Sequence, residues 1–322
     1  MSLFPADSEG PILVLGARSE IGTRLLPLLH ERGFEVLAQS RSPIKKTLPG
    51  VTWLEADPVQ NCDHCVELLC EALRGRTLQG SINLLGSWMR GEPKQVLVET
   101  SRSLEQGLRK VAVEEMPSLY VSGTAVYGDR PDERLTEDSP VQPDSLMGQW
   151  LCEGERIWQE SDFFRGIVLR FPHLYGRRDD RILGLMADGS FFVPGTGMNC
   201  TPHLHWDDAA FALVQALRAP GGVYHWADQS RETLGSWCDH ITSRKGIEPL
   251  SRILLSQALQ TKAATVLGPH MANEDFVREL FAVMTAHVDL DTSRTARILE
   301  LQLQYPDPFP VLTKLLTEQS NH

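Results

Sequence analysis

The sequence predicts an α/β fold, a doubly wound parallel sheet with a smaller α+β C-terminal domain. Short apolar strands alternate with helical patterns over residues 12–171, and residues 11–22 combine a buried strand with a glycine-containing turn. Residues 176–202 and 229–322 lose the alternation. The 322 residues suffice for one large domain or two modest ones. We expect a first domain over 1–175, to which 203–228 returns, and a second over 176–322.

Each predicted strand is a short run rich in apolar residues and followed by turn or polar residues. The runs are 12–15, 34–38, 51–54, 82–85, 118–122, 167–171 and 221–226. Helices fill the intervals. The first helix is expected to end near Gly33 and to be weakened or bent by Pro27.

The turn after the first strand is the strongest chemical signal in the chain. Gly16 would let the backbone approach a diphosphate, and Gly22 would let the next helix pack closely. The free N–H groups and the positive end of that helix, at Ser19, Glu20 and Ile21, form an anion site without lysine. The alternative is an ordinary strand–turn–helix corner.

The spacing Gly16, Ser19, Gly22 resembles the glycine turn of extended short-chain dehydrogenases of the epimerase/dehydratase type, with serine in place of the middle glycine. Further segments are similar to motifs of that family in the same order. They are 119–128 (LYVSGTAVYG), 169–176 (LRFPHLYG), 203–208 (HLHWDD), 222–228 (GVYHWAD) and, in the tail, 297–300 (RILE) and 305–306 (YP). The resemblance implies a Rossmann fold, a nicotinamide dinucleotide and a small polar substrate such as a nucleotide sugar.

The end of the second strand indicates which dinucleotide is bound. A site for NAD usually has an acid there, whereas this chain has Gln-Ser-Arg ending at Arg41. Arg41 and Arg18 could pair with a 2′-phosphate, which predicts NADP, with NAD as the alternative. The resemblance also places Asp57 near the adenine and Gly86 beside the cofactor.

The family's catalytic pair is missing. Hydride chemistry in the family uses a tyrosine and a lysine four residues later, and these positions are Met147 and Leu151 here. No Tyr-x-x-x-Lys occurs in the chain, and no lysine lies between Lys110 and Lys245. A retained reaction would therefore need a substitute proton donor or would be slow.

Substitutes are available near the expected substrate site. Ser122 and Thr124 could orient a substrate, although turn hydroxyls often bond their own backbone. His173, with an ordinary pKa near 6.5, could exchange a proton, although it could equally be a packed residue. Arg170 could bind a substrate anion or brace the domains through a carboxylate. Cys152 and Glu153 complete the candidates.

The composition limits the partners. The formal net charge is −11 and no basic run is present, which disfavours nucleic acid. No apolar stretch approaches the ~20 residues of a membrane helix, and no signal segment is evident, so we expect a cytoplasmic protein without a membrane partner. A homodimer is common in the family, but residues 147–158 give no independent sign of one.

The cysteines and histidines do not suggest a metal site. The six cysteines lack a framework spacing and are expected to be reduced thiols, and Cys62 and Cys65 have the spacing of a packed helix. His203, His205, Asp207 and Asp208 have the composition of metal ligands, but the resemblance explains them as the return to the first domain.

Two functions from different classes remain open. The first is an NADP(H)-dependent epimerase, dehydratase or reductase that acts on a polar carbonyl or hydroxyl compound with a nonstandard proton donor. The second is an NADP(H)-binding sensor or scaffold without hydride chemistry. A minor third is that cofactor binding has also been lost.

Overall fold

The fold is described from a computed structural model for residues 10–43, 48–86, 93–177, 181–256, 274–300 and 302–319. Residues 1–9, on which the expectation of no signal segment depends, lie outside the described residues. A parallel sheet of seven strands forms the centre, with the order β3-β2-β1-β4-β5-β7-β11. These strands are β1 (Ile12–Leu15), β2 (Val36–Ser40), β3 (Val51–Glu55), β4 (Gly80–Asn83), β5 (Pro117–Gly123), β7 (Arg165–Phe171) and β11 (Gly222–His225).

Helices cover both faces of this sheet. The helices are α1 (Glu20–Glu31), α2 (Cys62–Leu73), α3 (Thr100–Leu108), α4 (Leu146–Gln159), α5 (Arg181–Ala187), α6 (Trp206–Ala216), α7 (Leu234–Lys245), α8 (Glu274–Thr285), α9 (Ser293–Leu299) and α10 (Pro308–Gln319). A π-helical turn covers Gln95–Glu99 and a 3-10 turn covers Thr124–Tyr127. Within the described ranges, every helix is too short or too polar to cross a bilayer.

The two faces of the sheet have separate apolar layers. Helices α1 and α6 pack on one face, and α2, α3 and α4 supply side chains to the other. Pro27 lies inside α1, which runs from Glu20 to Glu31. Cys65 packs fully buried on α2, as its helical spacing predicts, and all six cysteines are unpaired.

Six of the seven predicted strands have an end displaced by one or two residues, and at two of these ends a hydrogen bond accounts for the difference. β2 begins at Val36 because Phe34 still takes part in the turn that ends the first helix, where its N–H donates to Leu29 O at 3.1 Å. β4 ends at Asn83 because the Asn83 side chain accepts the N–H of Leu85 at 2.9 Å and turns the chain out of the sheet.

Residues between Tyr175 and Leu316 form a smaller apolar cluster, and three pairs of short strands lie outside the main sheet. α5, α7 and α10 pack around it. The short strands are β6 (Arg134–Leu135), β8 (His173–Tyr175), β9 (Val193–Pro194), β10 (His203–His205), β12 (Arg252–Ile253) and β13 (Asp289–Leu290), paired as β8 with β10, β9 with β12 and β6 with β13. The segment 203–225 leads from this region into β11 at the edge of the main sheet.

Candidate functional site

The turn between β1 and α1 requires both of its glycines. Gly16 has φ +68°, a left-handed conformation that a side chain would strain. A Cβ on Gly22 would collide with the carbonyl of Ala17, so α1 could not approach the turn as closely. The two glycines therefore form the tight strand-to-helix corner predicted from the sequence.

The first turn of α1 leaves two backbone donors available. Ser19 caps the helix, and its Oγ accepts the N–H of Gly22 at 3.1 Å. The N–H of Ser19 donates to Gly16 O at 2.9 Å. Within the described residues, the N–H groups of Glu20 and Ile21 have no acceptor. This end of the helix is therefore free to bind an anion.

The Glu20 side chain turns toward neighbouring arginines. Its carboxylate pairs with Arg24 and, at 3.3 Å, with Arg177. Arg24 in turn bonds Asp207 at the start of α6, at 2.7 Å. These ion pairs partly offset the negative charge of Glu20, so its contribution to an anion site is its backbone N–H.

The end of β2 presents no carboxylate. Ser40 is buried and donates to Ser42 O at 2.9 Å, and Arg41 follows with an exposed side chain. Arg18, in the glycine turn, is also exposed. In the part of the chain that the structure describes, neither arginine has a carboxylate within ion-pair distance. Both side chains are therefore available to a phosphate.

Asp57 and Gly86 lie where the adjacent strands end. Asp57 follows β3, and its Oδ1 accepts the N–H of Val59 at 3.1 Å, which leaves Oδ2 for a ligand. Gly86 follows β4, and apart from its chain neighbours no atom of the described residues lies within 4 Å of where its Cβ would stand. The free N–H groups at the start of α1, the two arginines and Gly86 all follow carboxyl ends of neighbouring strands. Together these residues therefore fit a dinucleotide.

Gln39 is a site residue whose role the sequence did not indicate. It is 1% exposed, and its side-chain Oε1 accepts the N–H of Gly16 at 2.9 Å. Its Nε2 donates to the carbonyl of Ala56, just after β3. The available signal was a polar residue near the end of an otherwise apolar buried strand.

Ser122 and Arg170 belong to a buried hydrogen-bond network. Arg170 donates to both oxygens of Glu155, at 2.9 and 2.6 Å, and Ser122 Oγ donates to the same carboxylate at 2.6 Å. Burial opposes the charge of Arg170, but the bonds and charge of Glu155 outweigh it and raise the Arg170 pKa. Glu155 lies within residues 1–175 like Arg170, so this ion pair joins α4 to β7 and does not link the two predicted domains.

Tyr127 and His225 extend this network towards β11, on the side of the sheet opposite to β2 and β3. Tyr127 Oη accepts from Arg170 at 2.6 Å and lies 2.5 Å from His225 Nε2. Burial raises the pKa of Tyr127 to about 12, and burial lowers that of His225 to about 4. Both groups are therefore neutral at pH 7 and fill structural rather than acid–base positions.

Thr124 and His173 occupy more open positions. Thr124 begins the 3-10 turn directly after β5, is half-buried, and its hydroxyl has no partner among the described residues. His173 is exposed on β8, with its ring centroid 5.7 Å from that of His203.

The Cys152 thiol is half-buried, and burial raises its pKa to about 11, so it is not a thiolate at pH 7.

The positions of the missing tyrosine and lysine are packed with apolar atoms. Met147 and Leu151 lie on α4, 7% and 9% exposed. They join a cluster with Val126 from the 3-10 turn and with Val288 and Leu290 from the C-terminal region. Apolar side chains therefore fill the positions of the family's tyrosine and lysine.

A parallel sheet with a glycine turn, a free helix N-terminus and an arginine at the end of β2 defines a dinucleotide-binding protein of the short-chain dehydrogenase type. The chain belongs to the NAD dependent epimerase/dehydratase family, whose sequence model matches residues 12–225. This confirms the resemblance, and the family is NAD(P)-dependent.

Individual relatives agree with this assignment. The human epimerase family protein SDR39U1 is 29% identical over 224 residues, 65% of this chain and 70% of that protein. A crystal structure of human SDR39U1 with NADPH has a TM-score of 0.71 at 21% identity, covering 95% of this chain and 99% of that one. MoeE5 in complex with UDP-glucuronic acid and NAD has a TM-score of 0.72 at 18% identity, covering 97% and 100%. These structures share the fold predicted from the sequence.

Proposed function

We propose that this protein binds NADP(H) across the carboxyl ends of β1 and β2. One observation carries the proposal: the two free N–H donors of Glu20 and Ile21 lie beside a strand end that offers Arg41 and no carboxylate. The helix end favours a diphosphate, and the guanidinium fork suits a 2′-phosphate that an acid would repel. The presence of NADPH in the human SDR39U1 structure supports the same choice.

Titration with NADPH and NADH tests this proposal. Arg41→Asp should weaken NADPH binding about 10- to 100-fold more than NADH binding, because one charge-assisted contact is lost. Arg218→Asp is the matched control, since Arg218 is also exposed but follows α6 at the opposite edge of the sheet. An unchanged NADPH/NADH ratio would remove the role of Arg41, and no binding at millimolar NADPH would refute the proposal.

We further propose that the bound cofactor serves a reaction on a polar carbonyl or hydroxyl compound of the nucleotide-sugar type. A nicotinamide, when bound, supplies or accepts a hydride. Thr124, at the end of β5, would orient a substrate oxygen with its hydroxyl, which has no partner among the described residues. His173 is the candidate for proton exchange, because it is exposed beyond β7 and imidazole titrates near neutral pH.

Turnover is tested by incubating the protein with NADPH and a panel of nucleotide sugars and keto compounds. Absorbance of the cofactor and product mass are followed together. We expect His173→Ala and Thr124→Val each to lower the rate by ~10²-fold or more. His240→Ala is the control, because His240 is a histidine of α7 that stacks on Phe309 away from the sheet edge. Turnover that is indifferent to His173→Ala excludes that proton donor.

A sensor or scaffold that binds NADP(H) without hydride chemistry is the second candidate. It is favoured by the apolar packing of Met147 and Leu151, where the family's proton relay would stand. In that case NADPH would bind with the Arg41 dependence described above, and no compound of the panel would be converted.

A further inference from the structure

We propose that Gln39 is a positioning residue for the dinucleotide, acting through the glycine turn and the end of β3 without touching the ligand. The inference rests on the proposed cofactor site. Its basis is that one buried amide joins three strand ends that meet under that site.

Gln39 holds two successive N–H groups of the turn. Its side-chain Oε1 accepts from Gly16, and its backbone carbonyl accepts from Ala17 at 3.1 Å. The carbonyl of Gly16 then accepts from Ser19, the cap of α1. The first N–H groups of the turn are thereby all bonded within the protein. Among the described residues, the N–H groups of Glu20 and Ile21 remain free for a diphosphate.

The other end of the amide fixes the adenine side. Gln39 Nε2 donates to Ala56 O, and the N–H of Ala56 donates to Ser40 O at 3.0 Å. Ala56 directly precedes Asp57, and Ser40 directly precedes Arg41. The Gln39 side chain therefore connects the glycine turn, the end of β2 before Arg41 and the end of β3 before Asp57.

The Gln39 amide satisfies both of its partners at every pH. Gly16 N–H needs an acceptor and Ala56 C=O needs a donor, and the glutamine amide supplies one of each. A methionine of similar size supplies neither, and an ionised glutamate cannot donate. A buried donor or acceptor left unpaired is costly, so the turn would rearrange or loosen. Loss of this order weakens ligand binding, because the ligand must then restore it.

The first test concerns the protein without ligand. Amide hydrogen exchange at Gly16 should be slow in the wild type and at least tenfold faster in Gln39→Met. Ser81→Ala is the control, because it removes a buried side-chain bond to Ser118, in the middle of the sheet, without contact to the turn. Equal exchange at Gly16 in the wild type and Gln39→Met overturns the inference, whether or not NADP⁺ binds.

The second test measures the Kd of NADP⁺. We expect Gln39→Met to raise it about tenfold and Ser81→Ala to leave it unchanged. Gln39→Glu should raise it about tenfold at pH 8 and approach the wild type at pH 5.5, because a buried carboxyl is protonated there and then donates and accepts like the amide. The wild type measured at each pH corrects for protonation of the ligand's phosphate.

The outcomes separate the two proposals. If the wild type binds NADP⁺ and Gln39→Met binds it equally well, the positioning role is wrong and the cofactor site stands. If the wild type does not bind NADP⁺, the cofactor proposal fails and the role of Gln39 for a dinucleotide fails with it, even where Gly16 exchange shows that the amide holds the turn. Tenfold weakening of Gln39→Glu that persists at pH 5.5 contradicts the amide-like hydrogen bonding on which the inference depends.

Discussion

Glu279, on α8, accepts the backbone N–H of Leu146 at 2.8 Å and so caps the N-terminus of α4 from another part of the chain. The same carboxylate oxygen lies 3.4 Å from the N–H of Met147, the position of the family's tyrosine. The capping residue adjacent in sequence, Ser145, bonds Gly148 at 3.0 Å. The C-terminal region thus fixes the helix on which the family's proton relay would stand.

Replacing Glu279 should destabilise the protein through this helix end. Glu279→Ala is expected to lower the free energy of unfolding by about 1 kcal/mol, because two N–H groups lose an acceptor and the helix dipole loses a negative charge. Urea denaturation measures the change. Glu274→Ala, which breaks an exposed ion pair with Arg278 and removes one of the two acidic residues in the first turn of α8, should cost less than about 0.5 kcal/mol. Equal effects would deny the capping role.

The buried pair of Arg170 and Glu155 leads to a second prediction. Arg170→Met should destabilise the protein by about 3–5 kcal/mol, because Glu155 would remain as an unpaired charge that is 3% exposed. The double variant with Glu155→Leu should recover much of the loss, since no buried charge is left. Arg156→Met, from an exposed pair with Glu160, is the control at under about 1 kcal/mol. A double variant no more stable than Arg170→Met would contradict this account.

The sequence predicted the parts of the fold that depend on local patterns. The apolar run before Gly16 predicted β1, because a strand buried on both faces is built almost entirely of apolar residues. The predicted start of β2 at Phe34 and the predicted end of β4 at Leu85 were both misplaced, since hydrogen bonds of the adjoining turns decide these boundaries. The family of the protein was recognised from several motifs in order.

Long-range contacts explain what the sequence could not predict about the site. The ion pair of Arg170 depends on Glu155, fifteen residues earlier, which only the packing of α4 against β7 brings into contact. The capping by Glu279 joins residues 133 apart in the chain. No local pattern carries such information, whereas the missing lysine was evident from the sequence alone.

The apolar environment of Leu151 can be tested with a charge. Leu151→Lys should destabilise the protein by roughly 2–4 kcal/mol near pH 7, because the ammonium would be buried without a partner. Burial lowers the lysine pKa in the folded state, so the unfolded chain binds more protons and stability rises with pH up to about 10. Leu146→Lys, on the same helix but 46% exposed, should have little effect and no such slope. A Leu151→Lys protein as stable as the wild type at every pH would show that this position reaches water.

The Asp228 carboxyl should make stability depend on pH near neutrality. Desolvation by burial raises its pKa to about 7, although Ser230 donates to Oδ1 at 2.8 Å. The folded state therefore holds a proton between about pH 4 and 7 that the unfolded state has lost, so this group's contribution to stability falls as pH rises through that range. Asp228→Asn keeps the acceptor for Ser230 and removes the ionisation. At pH 8 it should be more stable than the wild type, by roughly 1–4 kcal/mol.

Denaturation of both proteins at intervals from pH 4 to pH 8 measures the effect of Asp228. His205 and His225 have pKa values lowered to about 4 by burial and give the opposite slope, since the unfolded chain binds their protons. They are common to both proteins, so the difference between wild type and Asp228→Asn isolates the carboxyl. Asp188→Asn, at an exposed aspartate before Ser190, is the control and should leave the pH profile unchanged. A difference between wild type and Asp228→Asn that is constant over the whole range would mean that the Asp228 pKa is not raised above that of the unfolded chain, and the carboxyl would then be solvated rather than buried.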